Sequence, residues 1–216
     1  MSAPGGSRPR VTLKIATSLD GRIGTSTGES QWITGPEARL QGHRLRAQAD
    51  AILVGVETVL ADDPRLTARV PEGETAVDPL RVVLDSRQRT PPFARLAVAG
   101  TLILTTREPQ PIGGAEVVQV AADAAGRCAV PAVLSLLHER EVKDLMVEGG
   151  GRVAAAFVLA GVVDAIEWFR APMLLGGDGR PGVANLALAR LVNAPKFKRL
   201  AVEPVGDDLW ERYERL

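Results

Sequence analysis

Three consecutive glycines are the strongest chemical signal in the sequence. Gly149, Gly150 and Gly151 follow an apolar run at residues 145–147 that is typical of a short buried strand. Glycine permits backbone angles that a Cβ forbids and lets a ligand approach the main chain. Residues 152–160 favour a helix, whose free N–H groups and positive dipole end would face the glycines. The pattern indicates a cradle for a diphosphate, with a strand-to-helix turn that binds no ligand as the competing interpretation.

The glycines also fit a dinucleotide-binding fingerprint. Gly149, Gly151 and Ala154 satisfy the pattern G-x-G-x-x-A, and Glu167 lies at roughly the distance expected of an acid that binds a ribose. In Rossmann domains this pattern belongs to the first strand-helix-strand unit, whereas here it comes late in the chain. A dinucleotide could therefore bind only if other loops supply the remaining contacts.

Lys14 and Glu148 are the titratable side chains best placed for proton transfer, because each lies at or near a predicted strand end. The alternation of Val11, Leu13 and Ile15 with polar or small residues predicts a strand that turns Lys14 to the opposite face. A lysine within a strand is usually a solvated charge. This strand, however, leads into a loop with two glycines, where α/β proteins tend to place ligand groups.

The remaining segments predict an α/β fold with a mostly parallel central sheet, flanking helices and an antiparallel C-terminal edge. Strand patterns followed by helix patterns dominate up to residue 170, and strand patterns alone follow. A capping box of Thr34 and Glu37, with Pro36 in the first turn, predicts a helix that begins near Gly35. On that helix His43 and the arginines are more typical of solvent-facing side chains. Another helix is predicted from residue 131, and further strands at residues 51–56, 80–85, 101–105, 116–120, 163–170, 199–205 and 209–215.

Composition limits the classes of function. The 216 residues and 45% hydrophobic content suit one domain at residues 11–216, after a flexible Pro-, Gly- and Ser-rich N-terminus at residues 1–10. Lys+Arg and Asp+Glu balance at 26 each, which argues against nucleic-acid binding through bulk charge. One cysteine and two histidines disfavour a disulfide framework and a metal centre. Since no stretch has the roughly 18 apolar residues that span a bilayer, a cytoplasmic protein without membrane contacts is expected.

A set of loop motifs resembles the reductase domain of bifunctional riboflavin biosynthesis enzymes. The match runs in order over nearly the whole chain, and its stretches at residues 28–34 and 60–64 are especially specific. This resemblance implies a dihydrofolate-reductase-like fold and a homodimer. The motifs are Lys14 with residues 18–22 (SLDGR), 28–34 (GESQWIT), 45–47 (LRA), 58–67 (TVLADDPRLT), 85–86 (DS), 147–150 (VEGG) and 171–176 (APMLLG).

The resemblance implies an NADPH-dependent enzyme that reduces the ribose of 5-amino-6-(5-phosphoribosylamino)uracil to a ribityl chain. The zinc-deaminase signature H-x-E with P-C-x-x-C is absent, so we expect a separate deaminase or a different substrate. The implied NADPH contacts are Ala16, Trp32, Thr58, Asp62, Ser86 and the glycine elbow from Gly150 to Ala156, which includes Gly151, Arg152 and Val153. The implied substrate contacts are Ser30, Arg46, Leu66, Arg69 and Glu148.

Physical arguments agree with this assignment at the arginines. The planar guanidinium forks of Arg46 and Arg69 can grip phosphate oxygens. Arg69 also belongs to residues 61–79, a long aperiodic stretch of the kind that is usually functional or mobile. Ser86 and Arg87 lie just past a predicted strand end and suit a 2′-phosphate, which favours NADPH over NADH.

Two assignments stay open on the sequence. The proton donor is Lys14 or Glu148, since Lys14 could bind only ribose or phosphate and Glu148 could only hydrogen-bond the pyrimidine. The substrate is the aminouracil, a diamino-pyrimidinone ribosyl phosphate, or a pterin such as dihydrofolate. A nucleotide-binding protein that retains the pocket without turnover is the alternative from outside the enzymes.

Overall fold

A nine-stranded sheet forms the centre of the molecule. The computed structural model describes residues 8–216, so residues 1–7 of the predicted flexible N-terminus lie outside the described residues. The strands are β1 (Arg10–Thr17), β2 (Arg22–Gly24), β3 (Ala51–Gly55), β4 (Leu80–Leu84), β5 (Thr101–Thr105), β6 (Glu116–Gln119), β7 (Asp144–Val147), β8 (Ala165–Arg170), β9 (Arg180–Pro181), β10 (Phe197–Val205) and β11 (Asp208–Arg215). Their order across the sheet is β10-β11-β8-β1-β7-β3-β4-β5-β6, and β2 pairs separately with β9.

The direction of the strands confirms the predicted sheet. Neighbouring strands from β8 to β6 run parallel, whereas β11 pairs antiparallel with both β8 and β10. β3 and β5 are buried along their whole length, as expected of parallel strands covered on both faces. Because the parallel strands share a direction, the carboxyl ends of β1, β7, β3 and β4 lie side by side at one edge of the sheet.

Four α-helices lie within residues 8–216: α1 (Pro36–Ala47), α2 (Val56–Asp62), α3 (Val130–Glu139) and α4 (Gly151–Leu159). The first residues of α1, α3 and α4 are within one residue of their predicted positions. The sequence does not predict α2, because seven residues directly after a buried strand are too few to show helical periodicity. None of the helices in this part of the chain is long and apolar enough to cross a membrane.

The sheet divides the apolar core into two clusters. Val11, Leu13 and Ile15 of β1 belong to the larger cluster, together with Phe157 of α4. The smaller cluster contains buried side chains of β3 and β5, and part of α1 packs against it. Since side chains alternate along a strand, Lys14 faces the side of the sheet that α1 covers.

The N-terminus of α1 is capped by a residue that is distant in the sequence. Gly35 occupies the N-cap, and no side-chain cap is formed there by the predicted capping box. The Gly35 N–H instead donates to the Asp208 carboxylate at 2.7 Å, across to the first residue of β11. The predicted start of the helix is confirmed, but the prediction that Thr34 and Glu37 cap it is wrong, because a tertiary contact supplies the acceptor.

Candidate active site

Lys14 lies in the middle of the sheet beneath α1. Its strand is flanked by β7 and β8. Gly42 of α1 lies over this lysine, since a Cβ at that position would lie 3.6 Å from both Cε and Nζ of Lys14. The ammonium also lies 5.6 Å from the centre of the Phe169 ring. Lys14 is therefore enclosed between a helix and the sheet rather than solvated at an edge.

Glu148 and Arg46 form a bidentate ion pair at the carboxyl end of β7. Arg46 donates from Nε to Oε1 and from Nη2 to Oε2 of Glu148, both at 2.7 Å. The Glu148 side chain is 7% exposed and that of Arg46 is 17% exposed. Parallel, charge-assisted bonds of this kind are strong and fix the orientation of the carboxylate. The packing of α1 on the sheet thus joins two predicted substrate contacts to each other.

The charges in this cluster distinguish the two candidate proton donors. Burial alone would raise the pKa of the Glu148 carboxyl, but the charges of Arg46 and Lys14 and the bond from Arg46 lower it to about 2. Glu148 is therefore ionised at neutral pH and has no proton to donate. Burial lowers the pKa of Lys14, the charge of Glu148 opposes this, and the charge of Arg46 lowers the pKa further. Of the two groups, Lys14 is the one whose pKa moves from its ordinary value toward neutral pH.

The loop after α2 runs beneath α1 and carries Arg69. Arg46 Nη1 donates to the Thr67 carbonyl at 3.2 Å, and the Arg69 N–H donates to His43 Nδ1 at 3.3 Å. The Leu66 side chain is buried in the smaller core cluster, so only its backbone could meet a ligand. The Arg69 side chain is exposed and forms no ion pair with any residue from 8 to 216.

Different constraints account for the glycines at positions 149, 150 and 151. A Cβ on Gly149 would lie 2.7 Å from Cα and Cβ of Val54, and one on Gly151 would overlap the carbonyl oxygen of Pro181. Gly150 is the N-cap of α4 and has a φ of 70°, in the region that favours glycine. Two of the glycines are therefore required by packing against neighbouring backbone, and the third by its conformation.

The start of α4 offers N–H groups to a ligand. The first helical bonds are those from residues 153 and 154 to the Gly150 carbonyl, so the N–H groups of Gly151 and Arg152 precede the hydrogen-bonded ladder. A Cβ on Gly150 would lie 3.7 Å from Thr58 Oγ1, which brings two predicted NADPH contacts together. With the positive end of the helix dipole, these groups fit a diphosphate.

The loop before α1 meets α2 at the rim of the site. Ser30 Oγ donates to Asp62 Oδ1 at 3.2 Å, which joins a predicted substrate contact to a predicted NADPH contact. The Trp32 side chain is 64% exposed, and the Arg39 guanidinium lies 4.5 Å from its ring centre. Ala16, two residues beyond Lys14, shares its face of β1.

The candidates for a 2′-phosphate lie farther along the same edge of the sheet. Ser86 follows β4, and its Oγ accepts the Cys128 N–H at 3.0 Å, so part of its bonding capacity holds the chain before α3. Arg87 and Arg107 line one cavity of about 470 Å³ at the carboxyl ends of β4 and β5. Neither guanidinium is ion-paired within residues 8–216. Arg107 was not predicted, since nothing in the sequence places it beside Arg87.

The expectation that His43 is solvated is wrong. His43 is half-buried and bonded to Arg69 rather than solvated, and burial together with the charges of Arg46 and Arg69 lowers its pKa to about 4. Its spacing of three from Arg46 is the signal that places both on one helix face. Glu167 of the dinucleotide-binding pattern accepts a bond from Trp210 Nε1 at 2.6 Å within the sheet. Within the described chain, no group of three or more His, Cys, Asp or Glu is placed to hold a metal ion.

Comparisons with known proteins point to one family. Residues 9–210 match the family model described as the RibD C-terminal domain. The chain is 42% identical over 204 residues to the riboflavin biosynthesis protein RibD of Mycobacterium tuberculosis, which covers 93% of this chain and 53% of that protein. It is 36% identical over 212 residues to the 2,5-diamino-6-ribosylamino-4(3H)-pyrimidinone 5′-phosphate reductase of Methanothermobacter thermautotrophicus, which covers 95% of this chain and 98% of that protein. The chain thus spans about half the length of the first relative and nearly all of the second.

Solved structures agree with this match. RibD of Acinetobacter baumannii superposes with a TM-score of 0.87 at 28% identity, over 97% of this chain and 58% of that chain. A dihydrofolate reductase of Enterococcus faecalis superposes with a TM-score of 0.54 at 15% identity, over 95% of this chain and 96% of that chain, which shows likeness of fold alone. The predicted dihydrofolate-reductase-like fold is confirmed, and so is the resemblance to reductase domains of riboflavin biosynthesis.

Proposed function

Since the chain belongs to the RibD C-terminal domain family, we propose that it is an NADPH-dependent oxidoreductase of riboflavin biosynthesis. It reduces the ribose of 5-amino-6-(5-phosphoribosylamino)uracil to the ribityl form. The observation that carries this proposal is the enclosed cluster of Lys14, Arg46 and Glu148 beside the glycine elbow. A reductase needs a proton-donating group next to a dinucleotide site, and this cluster supplies one.

The cofactor site is assigned to the chain's own groups along the carboxyl edge of the sheet. When bound, NADPH supplies a hydride to C1 of the opened ribose. The N–H groups at the start of α4 bind the diphosphate, and Ala16, Trp32, Thr58 and Asp62 border the reacting end. Ser86, Arg87 and the newly located Arg107 bind the 2′-phosphate, because two unpaired guanidinium groups beside one cavity match its charge. That match supports NADPH over NADH.

Lys14 is the proton donor in this proposal. Opening of the ribose ring gives an imine between C1 and its nitrogen, and reduction at C1 leaves that nitrogen in need of a proton. The Lys14 ammonium gives up a proton to this nitrogen and is reprotonated from solvent. Glu148 is ionised and held by Arg46, so it accepts hydrogen bonds from N–H groups of the pyrimidine.

Arg69 is the stronger candidate for the substrate phosphate. Arg46 uses two N–H groups on Glu148 and a third on the Thr67 carbonyl, so three of its five donors are engaged. The exposed Arg69 keeps its donors for a ligand. The role of Arg46 therefore changes from gripping phosphate to orienting Glu148, while Ser30 and the backbone at Leu66 complete the substrate side.

A diamino-pyrimidinone ribosyl phosphate is the second candidate substrate. The relative that this chain covers to 98% of its length is named as the reductase of such a compound. The bifunctional relative is covered to only 53%. The ionised Glu148 can accept hydrogen bonds from the N–H groups of either pyrimidine, so the described site accommodates both.

The proposal extends to a homodimer in the cytoplasm and to a separate deaminase in the same pathway. β10 forms one edge of the sheet and exposes Leu200 and Val202 at 54% and 43%, and an open edge with apolar side chains suits pairing with a second copy. The free, buried thiol of Cys128 is compatible with a reducing compartment. Light scattering at micromolar concentration tests the dimer, and a monomeric mass contradicts it.

A panel of substrates tests the function. NADPH oxidation is followed with the aminouracil phosphate, its diamino counterpart and dihydrofolate. Turnover of the first supports the main proposal, and turnover of only the second or third replaces the substrate. No turnover with any of the three, combined with a rise in thermal midpoint on adding NADPH, leaves a nucleotide-binding protein without this activity.

The cofactor preference and the proton donor have their own variants. Arg87→Ala is expected to weaken NADPH binding roughly ten- to hundredfold while leaving NADH binding unchanged. Arg89→Ala is the matched control, because Arg89 pairs with Glu57 instead.

Lys14→Met is expected to lower kcat about 10²- to 10⁴-fold with NADPH binding retained. An unchanged kcat in Lys14→Met would refute Lys14 as the proton donor. Equal losses of NADPH and NADH binding in Arg87→Ala would refute the assignment of Arg87 to the 2′-phosphate.

A further inference from the structure

We propose that His43 is a positioning residue that fixes the segment carrying Arg69 beneath α1, so that the Arg69 guanidinium meets the substrate phosphate. This inference rests on the proposed function for the role of Arg69. It assigns no chemistry to His43 itself. The imidazole acts by accepting a main-chain bond from the residue whose side chain binds the ligand.

Side chains of α1 hold the segment at three points. His43 Nδ1 accepts the Arg69 N–H at 3.3 Å, and Arg46 Nη1 donates to the Thr67 carbonyl at 3.2 Å. Arg44, the residue after His43, donates two bonds of 2.9 and 2.6 Å to the Glu74 carboxylate. The contact of His43 is the one made to the backbone of Arg69 directly. This bond therefore fixes the backbone position from which the Arg69 side chain extends.

The segment needs such support because it has little structure of its own. Residues 63–79 contain no helix or strand. Leu66 anchors the beginning in the core, but it does so with a φ of 53°, a region that non-glycine residues rarely adopt. An arginine on an unsupported loop would lose backbone as well as side-chain freedom on binding a phosphate. A bond that already orders its main chain lowers this cost.

The protonation state of His43 suits this role. Accepting an N–H at Nδ1 requires that the ring proton sit on Nε2. Burial and the charges of Arg46 and Arg69 lower the pKa of His43 to about 4, so the ring is neutral at physiological pH. A neutral imidazole adds no positive charge to bind the phosphate. The His43 ring contributes Nδ1 as the acceptor of the Arg69 N–H.

Two variants of His43 separate positioning from general packing. In His43→Asn the amide oxygen can take the place of Nδ1, whereas His43→Ala has no acceptor. His138→Ala, at the exposed histidine of α3, is the matched control. Steady-state kinetics are measured with the phosphorylated substrate and with its dephosphorylated form. We expect His43→Ala to raise KM for the phosphorylated substrate about three- to tenfold with little change in kcat, and His43→Asn and His138→Ala to stay near wild type.

The dephosphorylated substrate and Arg69→Ala provide the decisive comparison. If His43 acts through Arg69, His43→Ala changes KM for the dephosphorylated substrate little, and it adds little to the effect of Arg69→Ala in the double variant. Equal losses on both substrates, additive losses with Arg69→Ala, or an unchanged KM in a folded His43→Ala would overturn the proposal.

Amide hydrogen exchange tests the contact without any turnover. The Arg69 N–H is expected to exchange faster in His43→Ala than in wild type, and at near wild-type rate in His43→Asn. Exchange that is the same in all three proteins would overturn the proposal. An inactive wild type with all substrates, in contrast, would count against the proposed function while the exchange result still decides the role of His43.

Discussion

The glycine elbow and the charged cluster lie side by side after β7, but different forces constrain them. At Gly149 and Gly151 the backbone atoms of Val54 and Pro181 leave no space for a Cβ. At Glu148 the constraint is charge, because a buried carboxylate is matched by a guanidinium and an ammonium. The smallest added side chain should therefore disrupt the elbow, and a neutral side chain of equal size should disrupt the cluster.

Arg46→Met should give the largest loss of stability. The variant keeps much of the side-chain volume but leaves the buried Glu148 without its partner, so the free energy of unfolding should fall by about 3–5 kcal/mol. Urea denaturation measures this, and the double variant with Glu148→Gln should recover much of the loss. Arg44→Met, which breaks an exposed pair on the same helix, is the control and should change stability little. Similar losses in the two single variants would contradict the expected difference between the buried and the exposed ion pair.

The pH dependence of unfolding should reflect the ionisation of Glu148 in the same cluster. The pKa of Glu148 falls from 4.5 to about 2 on folding. Because the folded value is the lower one, its stabilisation is present above about pH 4.5 and is lost as the pH falls toward 2. The loss should be roughly 3 kcal/mol. The stability measured by urea denaturation across this range should therefore fall less steeply for Glu148→Gln than for wild type, whereas parallel curves would show that Glu148 is not the source of the pH dependence.

Gly151→Ala tests the steric side of the comparison. The added Cβ would overlap the Pro181 carbonyl oxygen, and relief of that overlap should cost about 1–3 kcal/mol of stability and weaken NADPH binding. Gly177→Ala is the control, because a Cβ there meets nothing within 4 Å. Denaturation and NADPH titration measure both effects. If the Gly151→Ala variant is as stable as the control, backbone contact does not constrain the elbow.

Gly42→Ala should have the smallest effect, and it tests packing and charge in one variant. An added Cβ would stand 3.6 Å from Lys14 Nζ, an ordinary contact, and alanine in place of a helical glycine should stabilise α1 by about 0.5–1 kcal/mol. The methyl group also excludes water from the ammonium, which should lower the pKa of Lys14. The alkaline limb of the rate profile should move to lower pH. A less stable variant, or an unmoved limb, would contradict this.

Local patterns predicted the elements well where packing only reinforces them. The strand at residues 101–105 and the starts of α1, α3 and α4 follow from apolar runs, proline and glycine. α2 and the cap of α1 were not predictable in this way. The first is too short to show periodicity, and the second depends on Asp208, far from Gly35 in the sequence.

The sequence by itself determined the sheet class, the glycine elbow and the set of residues that the resemblance carried. Only the tertiary structure decided what those residues do to one another. It paired Arg46 with Glu148, enclosed Lys14 beneath α1, and turned His43 from a surface side chain into a main-chain acceptor. The physical reason is that burial and pairing set charge and bonding, and both depend on which helix face meets which strand.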